Sequence, residues 1–148
     1  MQTISDIMTR DVMSVSPREN LRRAAQLMDE LNVGSLPVCD GQRLVGMITD
    51  RDITVRATSA GQDPDSTKVS DVMTDKVRYC FEDQEVNEVM NQMADAQIRR
   101  IPVVGRDEHN LIGIVSLGDV ATKHSAEVDR TLEKISTPSE PDRDQPRA

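Results

Sequence analysis

Two short runs in this sequence pair a helix start suited to anions with a carboxylate one turn on. They are Gly46-Met47-Ile48-Thr49-Asp50-Arg51-Asp52 and Gly113-Ile114-Val115-Ser116-Leu117-Gly118-Asp119. In each, an apolar strand containing glycine leads into Thr or Ser at the start of a helix, and Asp follows three residues later. A hydroxyl and free backbone N–H groups at a helix N-terminus suit phosphate. A carboxylate one turn on can accept both hydrogen bonds of a ribose diol. Glycine within the strand permits close approach by a ligand or by neighbouring backbone. Thr49-x-x-Asp52 and Ser116-x-x-Asp119 equally fit capping boxes, which need no ligand. Two copies, each preceded by the same strand and glycine, shift the balance towards a site.

No other constellation carries chemistry. His109 lies in a polar turn and His124 near the end of a helix, and both read as surface histidines. Asp50 and Asp52 fit a helix start better than a catalytic dyad. Cys39 and Cys80 stand in neither a C-x-x-C nor a metal-ligand spacing, and two buried thiols are favoured over the alternative of a disulfide between them. With no nucleophile–base pair and no metal cluster, the chain reads as non-catalytic. Met28, Met47, Met90 and Met93 fit core or cleft lining, because methionine fills irregular gaps.

Composition narrows the partners. Tyr79 and Phe81 are the whole aromatic content of the 148 residues, so the core is aliphatic, and a planar base would be gripped by aliphatic side chains. A net charge of −8 argues against nucleic acid as the main partner, since phosphate-backbone binding needs a basic surface. The N-terminus has no apolar signal region and the longest clean apolar run is LIGIV at 111–115, which predicts a cytoplasmic chain that does not engage a membrane.

The elements that must position the motifs come in duplicate. ISDIMT at 4–9 recurs as VSDVMT at 69–74, an offset of 65, as do LPV at 36–38 and IPV at 101–103. LVGMITDRDI at 44–53 recurs as LIGIVSLGDV at 111–120, an offset of 67, so the two extra residues fall in the turn GRDEHN at 105–110. Each copy predicts a βαββα unit. In the first, 12–15 is extended and Ser16-Pro17-Arg18-Glu19 starts a helix, with Ser16 as N-cap and Glu19 closing a capping box. Leu21, Ala24, Ala25, Met28 and Leu31 form its apolar face, and Gly34 supplies the stop. Strands at 36–39 and 44–48 flank a DGQR turn, and a second helix covers 50–57. The second copy repeats this with an extended 77–81, a helix carrying Val86, Val89, Met90 and Met93, strands at 101–104 and 111–115, and a helix from 117. The expected fold is α/β, with unit boundaries at 1–63 and 64–134 and a disordered tail at 135–148. Each half alone would hold only a marginal core, which favours packing by a pseudo-twofold axis with two clefts at the seam.

ISDIMT, VGSLPVCD and LVGMITDRDI, with their second copies at 69–124, resemble the CBS domain, named after cystathionine β-synthase, and the chain resembles small stand-alone bacterial CBS-pair proteins. Both copies meet the family's nucleotide motif, Gly, an apolar residue (Met47 or Ile114), any residue, Ser/Thr, two residues and Asp. The resemblance implies a regulatory module binding AMP, ADP, ATP or S-adenosylmethionine in the inter-repeat clefts. Thr49 and Ser116 would contact phosphate or ribose, and Asp52 and Asp119 would hold the ribose hydroxyls. It also implies adenine contacts from the other copy: Val12, Val33, Gly34, Ser35 and Pro37 opposite Ser116/Asp119, and Val77, Ile98, Arg99 and Pro102 opposite Thr49/Asp52. Arg99 and Arg51 are candidate phosphate partners. The counterpart of Arg99 is the uncharged Gly34, so the clefts differ, and the Ser116/Asp119 cleft is the first choice for phosphate. A homodimer through the helices and a separate protein partner complete these expectations. The alternative is a ligand-free interaction protein acting by partner docking in a stress response.

Overall fold

The computed structural model describes residues 2–123; His124 and the expected tail at 135–148 lie outside the described residues. In chain order the elements are α1 (Ile4–Ile7), α2 (Leu21–Leu31), β1 (Ser35–Asp40), β2 (Arg43–Thr49), a π-helical segment (Asp52–Thr58), α3 (Val69–Val72), β3 (Cys80–Phe81), α4 (Val86–Ala96), β4 (Arg100–Val104), β5 (Leu111–Ser116) and α5 (Leu117–Lys123). This is the expected mixed fold, built twice. β1 and β2 form an antiparallel hairpin with a bulge at Val38/Cys39, and β4 and β5 form another with a bulge at the matching Val103/Val104. The parallel strand expected before each first helix is short. It is a single bridge from Val15 to Val38 in one copy and the two-residue β3 beside β4 in the other.

The compact units are cut differently from the repeat. Met13–Val77 form one unit, while residues 2–12 join the chain from Arg78 onward in the other. The cause lies in the repeated run itself. In the unit that includes the second copy, Ile4 and Ile7 of α1 are fully buried among Val86, Met90, Met93, Ile101 and Val115. Backbone bonds from Ile4 N–H to Gln84 O (2.9 Å) and from Val86 N–H to Gln2 O (3.3 Å) tie the segment down. In the unit that includes the first copy, Val69 and Val72 of α3 are buried with Val15, Leu21, Leu36 and Ile48. There Val69 N–H donates to Glu19 O (2.8 Å) and Ser70 N–H to Pro17 O (3.0 Å). Burying an aliphatic side chain of this size contributes about 1.5–3 kcal/mol, so two per segment offset much of the entropy cost of ordering a four-residue helix.

Several local expectations change. Ser16–Glu19 is a turn, closed by Glu19 N–H to Ser16 O at 3.1 Å, and α2 starts later, with the Asn20 side chain accepting from Arg23 N–H at 2.9 Å. Proline at the second turn position fits this reading equally well. On α2 the buried face is Leu21, Ala24, Leu27 and Met28; Ala25 is exposed and Leu31 is 42% exposed. The left-handed residue ending α2 is Asn32 (φ 54°), and its counterpart after α4 is Gln97 (φ 55°), so Gly34 is not the stop. Gly34 instead lies close to a side chain, since an added Cβ would lie 3.1 Å from Asp50 Oδ2, which would have to shift slightly.

Cys39 and Cys80 are both buried free thiols. Burial pushes Cys80 up to about 12; it raises Cys39 as well, against a lowering hydrogen bond from Ser14. Both shifts favour the neutral thiol in the folded chain. The Cys80 contribution to stability is therefore complete below pH 9 and is lost as pH rises towards 12, and Cys39 acts in the same direction. Stability measured by urea titration is expected to fall across that window, with thiol reagents labelling the folded chain at neutral pH only at its unfolding rate. In the same assay Asn20→Ala is expected to cost about 1 kcal/mol and Ser16→Ala clearly less.

Candidate functional site

β2 ends at Thr49 and β5 at Ser116, and at both points the chain turns into helix through the same exchange. Thr49 N–H donates to Asp52 Oδ2 (3.0 Å) while Asp52 N–H donates to Thr49 Oγ1 (2.9 Å). Ser116 N–H donates to Asp119 Oδ2 (3.0 Å) and Asp119 N–H to Ser116 Oγ (3.1 Å). The capping-box reading is thus realised in both copies. It does not use up the groups, because each hydroxyl acts as an acceptor and keeps its own proton to donate. Asp52 is 7% exposed, a carboxylate held nearly out of water by these bonds.

The glycines meet neighbouring backbone. Met47 and Thr74 exchange two backbone bonds (2.9 and 2.8 Å), as do Ile114 and Thr9 (2.9 and 2.8 Å). A Cβ on Gly46 would lie 2.7 Å from Met73 Sδ and 2.9 Å from Thr74 O; on Gly113 it would lie 2.8 Å from both Met8 Sδ and Thr9 O. Each Met-Thr pair of the repeated run therefore packs directly over the motif's glycine.

A duplicated cation, which the sequence reading missed, sits four residues beyond each motif Asp. Arg56 Nε lies 3.6 Å from Asp52 Oδ1 and its Nη1 donates to Val72 O (3.3 Å) at the end of α3. Lys123 Nζ lies 3.9 Å from Asp119 Oδ1 and donates to Ile7 O (3.2 Å) at the end of α1. Each cation bridges the motif carboxylate to the helix seated beside it. A basic residue at the same place in both copies was the available signal.

The hairpin registers bring further expected residues beside the motif of their own unit. Ser35 pairs with Thr49 and Pro37 with Met47, and Asp50 N–H donates to Gly34 O (2.9 Å). Arg100 pairs with Ser116 and Pro102 with Ile114, and Leu117 N–H donates to Arg99 O (3.1 Å). Pro37 and Pro102 are buried, and Val12, Val33, Val77 and Ile98 half-buried. Arg51 and Arg99 are exposed, and among the described residues neither is ion-paired.

His109 is not a simple surface residue. It is half-buried, with its ring centroid 5.0 Å from Tyr79 and 6.1 Å from Phe81. Arg106 lies 4.2 Å over the Phe81 ring and binds Asp83 through two bonds of 2.8 Å, which hold the Asp83 carboxyl below its usual range. Among the described residues no group of three or more His, Cys, Asp or Glu is placed to hold a metal ion, and no helix is long and apolar enough to cross a membrane.

The CBS domain family model matches residues 4–57 and 69–125. Hypoxic response protein 1 of Mycobacterium tuberculosis is 41% identical over 122 residues, covering 82% of this chain and 84% of that protein. The crystal structure of a Hypoxic Response Protein I with two coordinated zinc ions superposes with a TM-score of 0.74 at 38% identity, over 82% of this chain and 98% of that one. The CBS domain pair of MJ0100, in complex with 5-methylthioadenosine and S-adenosyl-L-methionine, matches with a TM-score of 0.70 at 27% identity, over 82% and 94% of the two chains. CBSX2 in complex with AMP gives 0.71 at 27% identity, over 82% and 95%.

Because the obstruction at each glycine includes a backbone oxygen, Gly46→Ala and Gly113→Ala are each expected to destabilise the chain by about 1–3 kcal/mol, read from the urea midpoint. Gly105→Ala, where an added Cβ meets nothing within 4 Å, is the control that should not.

Proposed function

The chain belongs to the CBS domain family, and from that premise we propose that it is a non-catalytic regulatory module whose Thr49/Asp52 and Ser116/Asp119 motifs take adenosine nucleotides. One observation carries the reading. In both units the cap leaves a hydroxyl proton and a carboxylate edge at a strand end, the pair of groups that a ribose phosphate needs. Exposed Arg51 and Arg99 stand beside the two motifs and supply charge for phosphate. CBS pairs of the same architecture hold AMP in one case and 5-methylthioadenosine with S-adenosyl-L-methionine in another, which supports AMP, ADP, ATP and S-adenosylmethionine as the class. Regulation then follows from any difference in ligand affinity between two states of the chain or of its assembly. Met13, Leu31 and Val55, exposed at 51%, 42% and 47%, leave apolar side chains on the unit that includes the first copy and favour self-association as a homodimer.

A second reading rests on the completeness of the caps. Because Asp52 and Asp119 each already start a helix through a reciprocal cap that needs no ligand, the same fold would serve as a ligand-free docking protein. Thermal melts with millimolar AMP, ATP and S-adenosylmethionine separate the two. A ligand at 100 times its Kd adds about 2.7 kcal/mol, which raises the melting temperature by several degrees. The nucleotide reading predicts that at least one compound gives this shift and that Asp52→Ala with Asp119→Ala abolishes it. No shift with any of them would favour the docking protein.

A further inference from the structure

The two motif carboxylates match in sequence and differ in what already occupies them. The Asp119 carboxylate accepts a second hydrogen bond, from the Thr9 hydroxyl, which lies 3.1 Å from Oδ1 and 3.3 Å from Oδ2. A hydroxyl shared between both oxygens sits across the carboxylate edge that a vicinal diol would grip. Thr74 is the counterpart of Thr9, and its backbone makes the same two bonds to the strand beside it. Its hydroxyl nevertheless makes no bond to Asp52 among the described residues; there the second oxygen meets only Arg56, at 3.6 Å. The helices that follow differ too, α-helical over Leu117–Lys123 and π-helical over Asp52–Thr58.

Resting on the nucleotide reading above, we infer that Thr9 is a specificity-determining residue that makes the two sites unequal. Its hydroxyl fills the diol-binding edge of Asp119, whereas among the described residues no hydroxyl is bonded across that edge of Asp52. Hydroxyl–carboxylate bonds are charge-assisted and strong, so a ribose at Asp119 must break one before making its own. The expected consequence is an affinity about tenfold weaker at Asp119 than at Asp52, the size of one such bond. It also makes the Asp119 site indifferent to the ribose 2′-hydroxyl. This reverses the order suggested by Arg99 alone, since Arg99 bears on the phosphate and Thr9 on the sugar.

Calorimetric titration with AMP and with 2′-deoxy-AMP tests this, using Asp52→Ala to isolate the Asp119 site and Asp119→Ala to isolate the Asp52 site. The Asp119→Ala chain should bind AMP about tenfold tighter than the Asp52→Ala chain and should prefer AMP over its deoxy form. Adding Thr9→Val, or Thr9→Ala, to Asp52→Ala should strengthen AMP binding by about the same factor and create that preference. Thr9→Ser, which keeps the hydroxyl, should change neither. If AMP binds but removing the Thr9 hydroxyl leaves its affinity and sugar preference unchanged, or weakens binding, the role given to Thr9 is wrong. If the unsubstituted chain binds no AMP, the nucleotide reading itself falls and takes this inference with it.

Discussion

Each unit is organised around one reciprocal pair of hydrogen bonds, between a Thr or Ser at the end of a strand and the Asp three residues on. The pair does three things at once. It satisfies N–H groups that a helix start leaves without intrahelical partners. It fixes the angle at which the chain leaves the sheet. It also gives a hydrogen bond to the carboxylate, which at Asp52 is nearly buried and would be costly there without partners. The chemistry attributed to the motif and the architecture that presents it are thus the same bonds, which is why a capping box and a ribose site are hard to tell apart at this spacing.

Around that pair the rest of each unit is arranged from one side. The Met-Thr step of the repeated run lies over the motif's glycine, closely enough that a methyl group would strike a backbone oxygen. The short helix before it is buried by two aliphatic residues and clasped at its end by Arg56 or Lys123. The carboxylate is therefore bonded at once to its own helix and, through a cation, to an adjacent segment. In the unit that includes the second copy the segment adds the Thr9 hydroxyl to the same carboxylate. A group that takes part in so many contacts is well placed to pass a change in occupancy on to its surroundings.

Most of the fold could be read from the residues because the repeat constrained it twice. Val86, Val89, Met90 and Met93 keep helical spacing and are all buried, and the two hairpins fall where LPV and IPV recur. The motif residues were also legible, since Ser/Thr-x-x-Asp after an apolar strand has one local geometry. What escaped was set by competition or by distance. Ser16-Pro17 resembles a helix start, but Asn20 made the stronger cap and left the proline in a turn. Gly34 resembles a stop, but Asn32 adopts the left-handed conformation earlier, and Gly34 lies close to the Asp50 side chain. The docking of residues 2–12 with the chain beyond Arg78 has no local signature, because Ile4 and Ile7 are equally apolar whichever core they join. The Thr9–Asp119 bond, between residues 110 apart in sequence, follows from that docking and was equally out of reach.

The most direct test is a backbone-amide NMR titration of the chain with AMP. The account predicts that the amides of Thr49 and Asp52 shift at the lowest AMP concentrations and those of Ser116 and Asp119 at higher ones, with Gly105 and the Tyr79–His109 cluster unmoved. A spectrum in which AMP leaves all four motif amides in place, or moves other regions while sparing them, would contradict it.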